Sequence, residues 1–432
     1  MKGNLVIIID DMNIDLVFGV SNIPVASINK SHNKISELKN LLSTFLNSNS
    51  IDFNNIRNVI FVIDFTKFIK DIKKCSFGYI RIGDVTNSKL ETKEFMKNIS
   101  LDIYNLSISD SHSNGKNKEL KNFLEYLRER GINKIALSSS FSALNPHKEK
   151  SLIQDINRMF PNTFTIYPSY SYSSFNYMLR ENAMFLDLLL FDTVNNFLTT
   201  INQMFNDLGI NSSIYFMKGS GTLTSLRIAS ISPIFTWQSL FSSQLIGASI
   251  ATGEKDAFVL TNHGQEMKLG IIQNKLPKLS DTFSNFQGLH IPNFFPKCSF
   301  TNVSQYNRTC YSFLKSNNPF TGPVPIINFV EDLYLHKPLL TYPIINVKKY
   351  SSTLAQGALN SFFQLELTSI VATSDPNIIK AEKIALIEKS KRILEKDKIK
   401  LKAINYVYEI NPIKYVLKNA FYIKLYVKGD ID

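Results

Sequence analysis

Apolar positions along the chain fall into short unbroken runs and helical stripes. Leu5–Ile9 is continuous, the pattern of a strand covered on both faces. Asp15–Val20 and Val25–Ile28 follow after tight turns, so residues 4–28 read as three strands. Residues 34–47 carry Ile35, Leu38, Leu41, Leu42 and Phe45 at the spacing of an amphipathic helix. Val59–Ile63 and Gly78–Ile82 are two more strands of the buried type. Lys118–Arg130 places Leu120, Phe123, Leu124 and Leu127 on one helical face, with Gly131 where a C-terminal cap belongs. A strand at Ile135–Leu137, a turn at Asn145-Pro146, a helix over Lys148–Met159 stopped by Pro161, and a strand at Phe164–Tyr167 follow. Three strands and then alternating helices and strands predict an α/β domain.

Residues 180–208 form the longest helical pattern, with Phe185, Leu188, Leu189, Phe197, Ile201, Met204, Phe205 and Leu208 mostly three or four apart and Gly209 at the end. Small residues then make a turn, Lys218-Gly219-Ser220-Gly221-Thr222, and Ala257–Leu260 with Met267–Ile272 read as a strand pair. From about 275 to 350 the chain is rich in Pro, Asn and Ser, which predicts loops and short strands. Asp375 and Pro376 mark a helix start. That helix reaches about Lys396, and strands at 399–409 and 421–427 close the chain.

A length of 432 residues accommodates two domains, and a hydrophobic fraction of 44% excludes a disordered chain. The net charge of +12 favours anionic partners, yet the basic residues are scattered. Their densest cluster, 380–402, is diluted by Glu382, Glu388, Glu395 and Asp397, so it reads as a solvated helix face. Aromatic and basic residues do not interleave, and nucleic acid is not the expected partner. Cys75, Cys298 and Cys310 form no CxxC, the usage of a cytoplasmic protein with reduced thiols. No run reaches eighteen apolar residues, so no membrane span is expected.

Several segments, in order, resemble the hydantoinase/oxoprolinase family, A-type large subunit. Phe141-Ser142-Ala143-Leu144-Asn145-Pro146-His147-Lys148-Glu149 is similar to the family's F-S-P-V-N-P-x-H-E turn. Arg180-Glu181-Asn182-Ala183 matches its R-E-N-A helix start, and Gly221-Thr222-Leu223 the end of Q-N-D-G-T-L. Gly247-Ala248 matches the end of S-G-P-x-x-S-x-x-G-A, and Val407–Gly429 the closing strands, with Tyr415, Asn419-Ala420 and Gly429-Asp430 in register. The family includes ATP-dependent oxoprolinases, hydantoin hydrolases and the acetone carboxylase beta subunit. The resemblance implies an α/β fold of two actin-like, RNase H-like domains around a central cleft. It places an N-terminal domain at 1–185 and a C-terminal domain at 186–432, with helices that cross between the halves. It implies ATP and Mg as cofactors, a cyclic amide (a lactam or hydantoin) as substrate, and a second subunit of the hydantoinase B type or a homo-oligomer as partner.

Departures from the family pattern fall on its phosphate motifs. The opening D-x-G-G-T-N-T-D is here Ile8-Ile9-Asp10-Asp11-Met12-Asn13-Ile14-Asp15, where Asn13 and Asp15 fit and Asp10 and Asp11 replace glycines. A carboxylate about 4 Å from a phosphate repels it by about 1 kcal/mol in water and by more in a partly buried cleft. The second glycine-rich turn falls on Thr261-Asn262-His263-Gly264-Gln265-Glu266-Met267-Lys268, where Gly264 alone survives. The stretch Ile63–Lys70 shows no G-T-T-x-x-x-N-A, Phe300–Asn307 has no glycine, and S-G-P becomes Ser239-Leu240-Phe241.

Each candidate site has two readings. Lys218, Gly219, Ser220, Gly221 and Thr222, with Asn13, form an anion cradle of backbone N–H groups, or the turn is an ordinary tight one. Asp10, Asp11 and Asp15 supply carboxylates to a divalent metal, or they are a polar turn. His263 and Glu266 are an acid/base or metal pair, or incidental. Arg180, Glu181 and Asn182 line the substrate side of the cleft, or they tie the halves together. Two functions follow: a divergent ATP-dependent cyclic amide hydrolase, or a catalytically degenerate protein acting as a structural or regulatory subunit.

Overall fold

The computed structural model describes residues 2–11, 13–31, 35–83, 96–108, 116–140, 142–143, 145–172, 174, 176–263, 266–302, 306–320, 324–330, 342–347, 350–413 and 420–432. Phe141, Leu144, Gly264, Gln265, Tyr415 and Asn419, which belong to the motifs above, lie outside them.

The chain opens with antiparallel strands β1 (Gly3–Ile9), β2 (Asn13–Val20) and β3 (Ile23–Ser31). Helix α1 (Ile35–Ser48) leads to β4 (Ile56–Ile63), parallel to β1. Strands β5 (Lys74–Ile82), β6 (Ser100–Ile108), β7 (Lys134–Ser139) and β8 (Thr165–Pro168) form a separate, all-parallel sheet, with α2 (Lys116–Glu129) and α3 (His147–Met159) between them. Helix α4 (Tyr177–Asp207) carries the chain to β9 (Ser213–Met217) and its hairpin partner β10 (Leu223–Ser225). After α5 (Leu226–Ile231) and α6 (Ser239–Thr252) come β11 (Ala257–His263), β12 (Glu266–Gln273), β13 (Leu276–Pro277), the hairpin β14 (Phe283–Phe286) and β15 (Leu289–Pro292), and β16 (Cys298–Asn302). Helix α7 (Tyr306–Asn317), β17 (Ile326–Asn328), β18 (Ile344–Asn346) and α8 (Tyr350–Leu359) follow. The chain closes with β19 (Phe363–Val371), α9 (Pro376–Lys396), β20 (Asn405–Pro412) and β21 (Phe421–Gly429).

Strand order repeats. One sheet contains β3-β2-β1-β4-β9, antiparallel up to β1 and parallel from β1 to β9. A second contains β16-β12-β11-β17-β18 with the same pairing senses. This doubled order is the pair of actin-like, RNase H-like lobes. The first sheet continues through β10, β19, β21 and β20 to nine strands, so it takes residues from 3–31, 56–63, 213–225, 363–371 and 405–429.

Alternation explains the unbroken apolar run in β1, because successive side chains point to opposite faces. Leu5, Ile7 and Ile9 meet Leu42 and Phe45 of α1 and Leu186, Leu190 and Phe197 of α4. Val6 and Ile8 join the core of Leu354 and Ala358 on α8 and Leu386 and Leu394 on α9. Helix α4 is long and apolar enough to cross a membrane by composition, but most of its apolar stretch is buried inside the protein as a core helix. Cys75, Cys298 and Cys310 are free thiols.

Candidate functional site

Parallel pairing brings three sequence-distant turns to one edge of the first sheet. Ile9 pairs with Ile63 and Phe61 with Phe216, so the turns leaving β1, β4 and β9 emerge side by side. They are Asp10–Asn13, Asp64–Thr66 and Lys218–Thr222.

Lys218–Thr222 is a closed hairpin turn. Lys218 N donates to Thr222 O at 2.8 Å, Gly221 N to Lys218 O at 3.0 Å, and Gly219 N to Phe235 O at 2.7 Å. Ser242 Oγ donates to Gly219 O. Gly221 sits at φ +82°, a left-handed position that favours glycine. Ser220 Oγ and Thr222 Oγ1 lie 2.9 Å apart. Lys218 Nζ donates to Gln364 O at 3.0 Å, and the side chain lines a cavity of about 220 Å³ with Phe235, Phe294, Glu366 and Lys424. Burial lowers its ammonium to about 8, with Glu366 pulling the other way. Glu366 itself pairs with Lys424 at 3.1 Å.

The opening hairpin also fills its own backbone. Asp10 Oδ1 accepts from Asn13 N at 2.6 Å. Asp11 pairs with Lys67 at 2.9 Å and Lys70 at 3.8 Å. Asp15 lies buried in β2, accepting from Asn29 Nδ2, and burial followed by repulsion from Asp10 moves it up to about 6. The three aspartates thus have three different sets of partners. Among the described residues no three His, Cys, Asp or Glu side chains converge as metal ligands. His263 and Glu266 are Cα partners across the β11–β12 hairpin.

Sequence reading did not single out Asp64. Its carboxylate accepts from Thr66 N at 3.0 Å, Thr66 Oγ1 at 2.6 Å and Gln238 N at 3.0 Å. Gln238 is the residue before α6, so Asp64 sits at that helix's N-terminus, where the dipole favours an anion. The local signal was Asp64-Phe65-Thr66, a cap pattern ahead of a short helix. At this edge the N–H groups of Asn13, Thr66 and Gln238 are taken by the chain's own carboxylates and those of Lys218, Gly219 and Gly221 by its carbonyls, and Asp10 and Asp11 stand where the family pattern has glycines.

A second polar centre surrounds the start of α4. Arg180 is fully buried and donates to the backbone oxygens of Ser139, Ser140 and Ser174. Ser169 Oγ bridges toward Glu149, at 2.8 Å, and Ser142, at 2.8 Å. Two family-like segments thus meet in one network. Asn182 Nδ2 donates to His290 O at 2.8 Å, tying α4 to β15. Glu181 Oε1 accepts from Arg81 Nε at 3.3 Å and Ser138 Oγ at 2.9 Å, and burial raises its carboxyl to about 8. Asp187, one turn and a half further along, accepts from Tyr172 and from Ile234 N, and burial raises it also to about 8.

These buried acids set the pH dependence of stability. Their free values are 3.8 and 4.5, and their folded values about 6 for Asp15 and about 8 for Glu181 and Asp187. Between about pH 4 and about pH 8 the folded chain holds more protons than the unfolded one, so stability falls as pH rises through that window. Lys218 acts in the opposite sense only above about pH 8. Urea midpoints at pH 5 and pH 8 check this: a lower midpoint at pH 8 is expected, and a higher one contradicts it.

No protein-family model matches the sequence, and no curated protein matches it. Solved structures do match the fold. The nucleotide-free structure of an ATP-dependent acetone carboxylase aligns with a TM-score of 0.70 at 9% identity, over 100% of this chain and 88% of that one. The ATP-dependent caprolactamase of Pseudomonas jessenii aligns with a TM-score of 0.70 at 10% identity, over 99% of this chain and 88% of that one. The whole chain therefore has the two-lobed fold of these two enzymes, the fold that the hydantoinase/oxoprolinase resemblance implied.

Proposed function

We propose that this chain is a divergent protein of the hydantoinase/oxoprolinase type that has kept the two-lobed body without nucleotide-driven catalysis, and that it acts as a structural or regulatory subunit. One observation carries the reading: Asp10 and Asp64 place carboxylates on the backbone N–H groups of Asn13, Thr66 and Gln238, at the edge where the fold would receive phosphate. An ATP-using site contributes chiefly the positioning of phosphate and metal, and both are compromised here. Its partner in this reading is a second subunit of the hydantoinase B type or another copy of the chain.

The competing reading is an ATP-dependent cyclic amide hydrolase, favoured by the likeness to the caprolactamase over nearly the full chain. Thermal unfolding with Mg-ATP separates the two. A ligand at 100 times its Kd stabilises by about 2.7 kcal/mol, which shifts the midpoint visibly. The subunit reading expects no shift beyond that of an equal concentration of Mg and chloride. A saturable, ATP-specific rise would replace it with the hydrolase reading.

A further inference from the structure

The first sheet runs past the doubled strand order, and its added strands β10, β19 and β21 form one wall of a cavity. Alternation in β19 and β21 turns Leu365, Leu367, Ile423 and Leu425 to the core shared with α9. Glu366, Lys424 and Tyr426 take the opposite face, where with Lys218 they line about 220 Å³. Apolar walls come from Ile228 of α5, Phe235 ahead of α6, and Leu279 and Phe294 on either side of the β14–β15 hairpin. The Phe235 and Phe294 rings meet edge to face, 5.1 Å between centroids, and make one corner.

Charge in this cavity does not balance. Lys218 feels Glu366, but the ion pair of that carboxylate is with Lys424, at 3.1 Å. Lys218 closes no ion pair among the described residues, and one of its three N–H groups goes to Gln364 O. Tyr426 directs its hydroxyl to Glu409, at 3.3 Å. Two ammoniums and one carboxylate leave a single positive charge beside apolar walls. A charge withdrawn from water is costly unless paired, so the cavity favours an anion. The backbone N–H groups of Lys218, Gly219 and Gly221 are closed, so the ammonium rather than the turn makes the offer.

We propose that this cavity binds a small monocarboxylate with a compact apolar body, its carboxylate on Lys218 Nζ and its body against Phe235 and Phe294. The volume lies below the roughly 300–1,000 Å³ of pockets for drug-sized ligands, so the ligand is small. One unpaired ammonium matches one negative charge, and the second charge of a phosphate would face Glu366. A neutral amide would leave Lys218 uncompensated. In the subunit reading such a ligand is an effector, and the site stands whether or not Mg-ATP binds.

Calorimetric titration of the full chain with benzoate, benzamide, acetate and inorganic phosphate tests this. Benzoate is expected to bind, with benzamide and acetate each about tenfold weaker or more, since one lacks the charge and the other the apolar body. The titratable groups facing Lys218 are Glu366 from β19 and Lys424 and Tyr426 from β21. With the Lys218 ammonium at about 8, benzoate affinity is expected to fall about tenfold from pH 7 to pH 9 as that proton leaves. Lys218→Met is expected to weaken benzoate about tenfold at pH 7 and to flatten the pH dependence. Phe294→Ala, at a half-buried position, is expected to weaken benzoate several-fold. No benzoate binding at millimolar concentration, equal binding of benzamide, tighter binding of phosphate, or an affinity that does not fall toward pH 9 would each overturn the proposal. The native ligand and pH series, with Phe294→Ala, decides the question even if the Lys218→Met chain does not fold.

Discussion

Gly247→Ala is expected to destabilise the protein by about 3 kcal/mol or more, although alanine is the better helix former. Helices α6 and α8 cross with almost no space between their backbones. A Cβ at Gly247 would stand 1.8 Å from Thr353 O, and one at Gly357 1.9 Å from Ser243 O. Ser243 Oγ adds a hydrogen bond to Leu354 O at 2.7 Å across the same crossing. Two facing glycines therefore set the distance between the helices. The obstructing atoms are backbone oxygens, which cannot swing aside as a side chain would. Alanine at either position must separate the helices, and separation disturbs the core where Leu354, Ala355 and Ala358 of α8 pack. Gly253→Ala is the control: Gly253 caps α6 at φ +79° with nothing within 4 Å of its Cβ position, so it carries conformational strain alone, about 1 kcal/mol. Urea unfolding of both variants measures the difference. A Gly247→Ala chain no less stable than Gly253→Ala would show that this crossing is not held at the distance described.

Gly247 was legible in the sequence only through its family-like segment, and the structure supplies the physical reason for it. Local signals were the readable ones. Gly131 and Gly209 do adopt left-handed conformations at the ends of α2 and α4, and Asp375 does cap α9, accepting from Asn377 N at 2.8 Å. The continuous run of β1 and the long stripe of α4 needed no partner to be recognised. Strand β6 was missed because Asp102, Asn105 and Ser107 interrupt its apolar positions, and much of the strand is only half-buried. Helix α7 was hidden in the Pro-, Asn- and Ser-rich stretch, with Cys310, Phe313 and Leu314 turned to the core. Of the last strand pair, β21 begins at Phe421 as its apolar run predicts, whereas β20 begins at Asn405 rather than 399, because Leu401 makes only an isolated bridge to Ile431. At the sites the missing information is long-range. Lys218–Thr222 was identifiable as a turn, but not that Phe235 O takes the Gly219 N–H. Asp64 meets Gln238 across 174 residues, and Arg81 meets Glu181 across 100. No spacing rule carries that distance.

Asp64→Ala is expected to cost about 3 kcal/mol and to create a response to inorganic phosphate that the native chain lacks. The substitution strands three donors at once: Thr66 N, Thr66 Oγ1 and Gln238 N. Each buried donor left unpaired costs about 1–3 kcal/mol, partly offset because the native carboxyl is itself raised by burial. The vacated position keeps the features that attract an oxyanion: freed N–H groups, the N-terminus of α6, and Lys67 close by. Phosphate should therefore raise the urea midpoint of Asp64→Ala in a saturable way, and raise that of the native chain only by the small, unsaturable effect of an excluded salt. Chloride at equal ionic strength separates the specific effect from screening. Equal phosphate responses in the two chains would mean that Asp64 is merely a turn cap, and the claim that a carboxylate stands where phosphate would bind would fall with it. A phosphate response confined to the variant would instead show that a single side chain closes an anion seat the fold still builds.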